Sequence, residues 1–185
     1  MSVVSDALVT PDNLRDTSNG IFYADQDFSV FDAGVIRFLK GVAGSIDRRR
    51  ARVCAHPSPE AEQHDMLIVS HRDTYVAPHR HLSKSESFLI IEGAADVILF
   101  SEDGDVTERF LMGQPDAGLP FFYRMPERLY HSLWIESEFL VFVESTKGPF
   151  LRGETEFAPW APDPNATAEG QAYLQSLGVA DVRSA

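Results

Sequence analysis

The rhythm of apolar and polar positions changes once along this chain, near Arg48. Before it, Phe31, Val35, Phe38, Leu39 and Val42 recur at three- and four-residue intervals. That spacing marks one face of a helix, so a helix is expected over Phe28–Val42 despite Gly34. The residues ahead of it, punctuated by Pro11, Asn13, Asn19 and Gly20, give no clear element. After Arg48 the apolar residues alternate in short segments, the period-two pattern of half-buried strands. Candidate strands cover 49–56, 64–70, 74–81, 86–91, 95–100, 106–112, 120–125, 129–135 and 139–145. Glu92-Gly93 and Ser101 to Asp105 read as hairpin turns, and Gln114 to Gly118 and Met125-Pro126-Glu127 as breaks. Nine short strands with regular turns predict an all-β antiparallel barrel or sandwich. Beyond Lys147-Gly148-Pro149 the chain turns irregular through Trp160 to Pro164. A short helix is then expected over Ala166–Leu177, capped by Asn165 or Thr167 and stopped by Gly178. No internal repeat is present.

Composition narrows the partners. The 185 residues suit one domain with a terminal extension, and a 44% hydrophobic fraction can fill one core. A formal charge of −12 repels phosphate backbones and anionic membrane surfaces, which argues against nucleic-acid and membrane partners. No apolar run approaches the ~20 residues of a membrane span. The start, MSVVSDALVTPDNL, lacks the basic and apolar regions of a signal peptide. With that start and a single cysteine, Cys54, the expected location is the cytoplasm. The sequon Asn165-Ala166-Thr167 is then read as chance.

Candidate chemistry concentrates in PHRHLSKSESFLIIEG, Pro78 to Gly93. His79 and His81 share one face of a strand, about 7 Å apart along it. Glu86 has the wrong parity for that face, but the polar stretch Leu82 to Ser85 can reset the register. Glu86 would then point inward with Phe88 and Ile90, and His131 with Leu133 and Ile135. Three imidazoles and a carboxylate on a closed sheet suit one divalent transition metal: Fe, Mn, Ni, Zn or Co. A lone histidine is more often structural than ligating, but this pattern of four is harder to reach by accident.

The spacing His79-x-His81-x4-Glu86-x6-Gly93 resembles the first cupin motif, with Asp73 in place of its leading glycine. Pro126-x-Arg128-x2-His131 resembles the second, with Arg128 at the usual glycine and Ile135 at the usual asparagine. The likeness extends to WbuC-type cupin metalloproteins through Arg50-x-Arg52, Cys54-Ala55-His56, Asp65-Met66, Thr74-Tyr75-Val76, Lys84, Glu144, Gly148-Pro149-Phe150 and Phe157 to Pro162. It covers residues 48 to 163. The resemblance implies a jelly-roll barrel with a bound divalent metal, bacterial origin and a link to surface-polysaccharide gene clusters. On that reading residues 1–47 are an extension packing on the barrel, 48–163 the cupin barrel, and 164–185 a helical tail. Small cupins often dimerise through edge strands, which brings a homodimer among the expected partners.

Around the metal, an extended Arg50, Arg52, Cys54 and His56 would share one face. Guanidinium groups suit bidentate capture of phosphate or carboxylate, as an anion clamp or a salt-bridged edge. Arg50, Arg52, His56 and Tyr75 are the candidate substrate-binding residues, and no catalytic residue stands out. Cys54 reads as a buried small apolar residue, Trp160 as packing for the tail, and Phe121-Phe122-Tyr123 as a strand with one face toward an apolar pocket. The expected function is a metal-dependent enzyme on a small, anionic metabolite, an isomerase or epimerase of a sugar or nucleotide sugar. An Fe(II)-dependent dioxygenase and a non-catalytic, metal-anchored sugar-binding protein are the alternatives.

Overall fold

The computed structural model describes residues 11–26 and 28–178. In chain order the elements are β1 (Leu14–Asp16), β2 (Ile21–Ala24), α1 (Ala33–Ser45), β3 (Arg50–Cys54), β4 (Gln63–His71), β5 (His79–His81) and β6 (Glu86–Glu92). They continue with β7 (Ala94–Phe100), β8 (Val106–Gly113), β9 (Phe122–Met125), β10 (Tyr130–Ile135), β11 (Phe139–Lys147), β12 (Thr155–Phe157) and α2 (Thr167–Ser176). The strands form two sheets, β1-β2-β3-β4-β11-β6-β9 and β12-β5-β10-β7-β8. Their inner faces close on one core, which makes the fold an all-β jelly-roll barrel with a short C-terminal helix. Every pairing is antiparallel except β2 with β3, which is parallel.

Strict alternation builds that core. Met66 and Ile68 on β4, Phe88 and Ile90 on β6, Leu133 and Ile135 on β10, and Leu140 and Phe142 on β11 all turn into the barrel. The residues between them on the larger sheet, Leu67, Val69 and Val141, turn outward under α1. Both faces of this sheet are therefore buried, which explains why β4 reads as nearly continuous apolar sequence. Helix α1 covers the outer face with Val35, Phe38, Leu39 and Val42. The smaller sheet is covered outside by Leu174 of α2 and by Trp160, over Tyr75, Ile98, Phe100, Tyr130 and Trp134.

The structure revises several sequence expectations. Helix α1 starts five residues later than Phe28, because the Asp32 carboxylate accepts from the Gly34 and Val35 amides and fixes the N-terminus there. Phe28 and Val30, counted toward the helix, are outside it and exposed. The stretch 74–81 pairs only at His79–His81. Ahead of α1, β1 and β2 continue the seven-stranded sheet, so the part of residues 1–47 that is described includes an integral pair of strands. The expected boundary at residue 48 thus cuts across a sheet. The helix expected at Ala166–Leu177 is found one residue shorter at each end.

Candidate metal centre

The two sheets bring the four candidate ligands to one end of the barrel. His79 on β5 lies directly opposite His131 on β10. Each has a donor nitrogen within 4.8 Å of the other and of one on His81. Glu86 faces them from the first position of β6 in the other sheet. One of its carboxylate oxygens is 3.1 Å from His81 Nε2, and the other is 3.5 Å from His131 Nε2. Glu86 and His131 are buried, and His79 and His81 are half-buried.

The neighbouring groups aim these side chains. His79 Nδ1 is 2.9 Å from the Ala77 carbonyl, and His131 Nδ1 is 2.9 Å from the Leu129 carbonyl. A carbonyl only accepts, so both Nδ1 atoms carry the proton and both Nε2 lone pairs are left free toward the centre. His81 Nδ1 is 3.3 Å from Thr155 Oγ1 on β12. Tyr123, inward on β9, donates its hydroxyl to Glu86 Oε1 at 2.9 Å. The turn ahead of β10 is closed by the Arg128 amide, which donates to the His81 carbonyl at 2.7 Å.

Electrostatics sets the protonation of His79, Glu86 and Tyr123. Burial, reinforced by His131, lowers His79 to about 3, so its imidazole is neutral near pH 7. Burial alone would raise Glu86, but the three surrounding histidines outweigh it and hold the carboxylate below its ordinary range. Burial and the Glu86 charge push Tyr123 well above its usual value, so it stays protonated and donates. Three imidazoles and one carboxylate form a donor set that fits a borderline divalent ion.

Deeper in the barrel, Glu144 occupies an inward position of β11, two residues from Thr146, which pairs with Glu86. Burial and the Glu86 charge raise its carboxyl above the ordinary range, with Arg50 opposing. Arg50 Nη2 lies 3.8 Å from Glu144 Oε2, and its guanidinium lies over the Phe142 ring. Arg52 shares that strand face, as alternation requires.

The expected substrate residues separate into two groups. Arg50 and Arg52 lie on the inner face of β3, with Cys54 buried beside them in the barrel core. His56 is buried just beyond and stacks on His64 with ring centroids 4.0 Å apart. His64 belongs to the same row of strand pairs as Thr146 and Glu86. Tyr75 is elsewhere: it is packed in the outer cluster with Ala77 and Leu174, and its hydroxyl donates to the Pro162 carbonyl. Its segment is not a strand, so parity did not govern where it points. Tyr123, Glu144 and Thr155 complete the site without having been assigned to it from sequence. Tyr123 belonged to a predicted strand with one face inward, and Glu144 to the resemblance, but neither signal reveals a contact with Glu86 or Arg50.

A domain of unknown function (DUF6016) matches residues 31–112, which include His79, His81 and Glu86. No curated protein matches the chain. Among solved structures, similarity extends to the capsular polysaccharide assembling protein CapF from Staphylococcus aureus, at 17% identity over 61% of this chain and 33% of that one, TM-score 0.48. A mutant oxalate decarboxylase from Bacillus subtilis is similar at 19% identity over 58% of this chain and 27% of that one, TM-score 0.46. An uncharacterized protein with a double-stranded β-helix domain from Klebsiella pneumoniae is similar at 14% identity over 59% and 79%, TM-score 0.45. The chain spans about a third or less of the length of the first two.

Proposed function

We propose that this chain is a divalent-metal-dependent enzyme acting on a small polar metabolite, with His79, His81, His131 and Glu86 as the ligands. The observation that carries the reading is convergence with preparation: three imidazoles gather within 4.8 Å while backbone carbonyls hold Nδ1 of two of them. A divalent ion bound there would supply Lewis acidity toward a substrate carbonyl or hydroxyl. The chain's own residues do the rest. Tyr123 fixes the Glu86 carboxylate, Thr155 steadies His81, and the aromatic wall of Phe88, Tyr123 and Phe142 limits water on one side. Isomerisation or epimerisation of a sugar or nucleotide sugar is the reaction class that the sequence resemblance supports.

Elemental analysis of protein purified without added metal tests the ligands. One equivalent of a first-row ion is expected in the native chain and none in His79→Ala/His81→Ala, with the same far-ultraviolet circular dichroism in both. Stoichiometric metal in the double variant refutes the assignment. Catalysis is tested separately by incubating the loaded protein with nucleotide sugars and sugar acids. Product formation supports an enzyme, whereas a thermal shift without product identifies a binding protein.

A further inference from the structure

A second feature of the barrel is a concentration of positive charge in an acidic chain. Arg48, Arg49, Arg50 and Arg52 supply four of the sixteen lysines and arginines. Arg49 donates to the Gly44 carbonyl on the helix side. The other three line one narrow hollow with Asn19, Gly20 and Ile21, where the turn into β2 meets β3. Neither Arg48 nor Arg52 forms an ion pair with a described carboxylate, and Nε of Arg52 is buried with no hydrogen-bond partner. Arg50 has Glu144, but at 3.8 Å the pair is longer than a direct hydrogen bond and leaves its donors free. Arg52, half-buried and without a carboxylate partner, and Arg50, with only the long pair to Glu144, leave positive charge uncompensated at the hollow. Partly buried guanidinium groups without counter-ions are costly, and planar N–H forks match oxyanions.

We propose that this hollow is an oxyanion site for a phosphate or carboxylate group, in which Arg48, Arg50 and Arg52 hold the anion and Glu144 is the internal counter-ion that it displaces from Arg50. Glu144 ties the hollow to the metal centre, because its row lies about 7 Å along β11 from the row of Glu86. A single ligand with an anionic group and a metal-binding end would bridge the two, and that part of the inference rests on the metal reading above.

The probe is inorganic phosphate, titrated calorimetrically at fixed ionic strength with acetate in a parallel arm, so that screening is constant. Saturable binding is expected in the native protein. Arg50→Gln/Arg52→Gln should weaken it by about tenfold or more, and Arg48→Gln, at an exposed position, should weaken it several-fold. Glu144→Gln should tighten it, because Arg50 loses its competitor. Tighter phosphate than acetate indicates a phosphate group, and the reverse a carboxylate. The same titration in His79→Ala/His81→Ala should be unchanged, and loss of binding there would place the anion on the metal and overturn the site. Absence of saturable binding, or equal affinity in the native chain and Arg48→Gln, also overturns it. Metal content measured on the same samples separates the readings, since phosphate bound to a native chain that carries no metal sustains this inference while sinking the metal centre.

Discussion

A single hydroxyl orders the carboxylate side of the candidate metal centre. Tyr123 donates to Glu86 Oε1, and its raised pKa keeps the proton in place. Tyr123→Phe should preserve the fold and weaken metal binding by about 10- to 100-fold, read by competition with a chromophoric chelator. Arg128 shows a different economy. It stands where the resembling family carries glycine, and its φ of 66° lies in the left-handed region that glycine adopts freely. The turn shape is thus kept without the residue that makes it easy. His56 predicts the response to acid. Burial, then His64, lowers it from 6.5 to about 4, while the Asp65 backbone, Asp65 carboxylate and Arg52 also act on it. The unfolded chain therefore takes up a proton as pH falls below about 6.5, and the folded chain does not until about 4. Stability is lost across that window. Urea denaturation at pH 7 and pH 4.5 should show a smaller loss in His56→Phe than in the native chain. At this scale the gathering of His79, His81 and His131 is legible, because spacing and strand parity turn them to one side, whereas the approach of Glu86 depends on a register reset in Leu82 to Ser85. Tyr75 was not, because it lies in irregular chain where no period sets direction.

Among the elements, α1 is the clearest case of a face read from sequence. Phe38, Leu39 and Val42 were picked by spacing and are buried on the sheet, with Leu39 fully enclosed. Leu39→Ala should cost about 2–5 kcal/mol in equilibrium unfolding, with metal content per folded chain unchanged. The apolar pattern places the start of α1 too early, because Phe28 and Phe31 continue it past the cap and it does not register the Asp32 side chain. The Glu92-Gly93 turn was legible for a physical reason. Gly93 has φ 87°, and a side chain there would meet Ser137 and the Phe139 carbonyl. Strands β1, β2 and β12 are not marked in the sequence, since each is only three or four residues long and lies in chain punctuated by turns with no longer alternating run around it. They exist because neighbouring strands supply hydrogen-bond partners, which is tertiary information.

Across the whole molecule the site joins the two sheets. Three histidines come from the five-stranded sheet and Glu86 from the seven-stranded one. No described helix is long and apolar enough to cross a membrane. The barrel itself was foreseeable from alternation and turns, whereas which end gathers the chemistry depends on register. The strand that carries two of the candidate ligands is poorly supported from within the barrel. β5 is three residues long and meets β10 at the single pair His79 and His131. Its other flank is β12, matched at all three positions. Leu82 donates to the Glu154 carbonyl and Ala158 to the Pro78 carbonyl, so the intervening Arg80–Glu156 pair falls on the hydrogen-bonded beat of the ladder. Glu156→Pro would remove the residue-156 N–H from that pair and loosen Arg80, which sits between the two histidines, while leaving every candidate ligand in the chain. Zinc should then be held about tenfold less tightly than in Glu156→Gln, measured with the same chelator. The tail after residue 147 would thus be a hidden co-owner of the metal centre, lending posture to ligands that it does not contain.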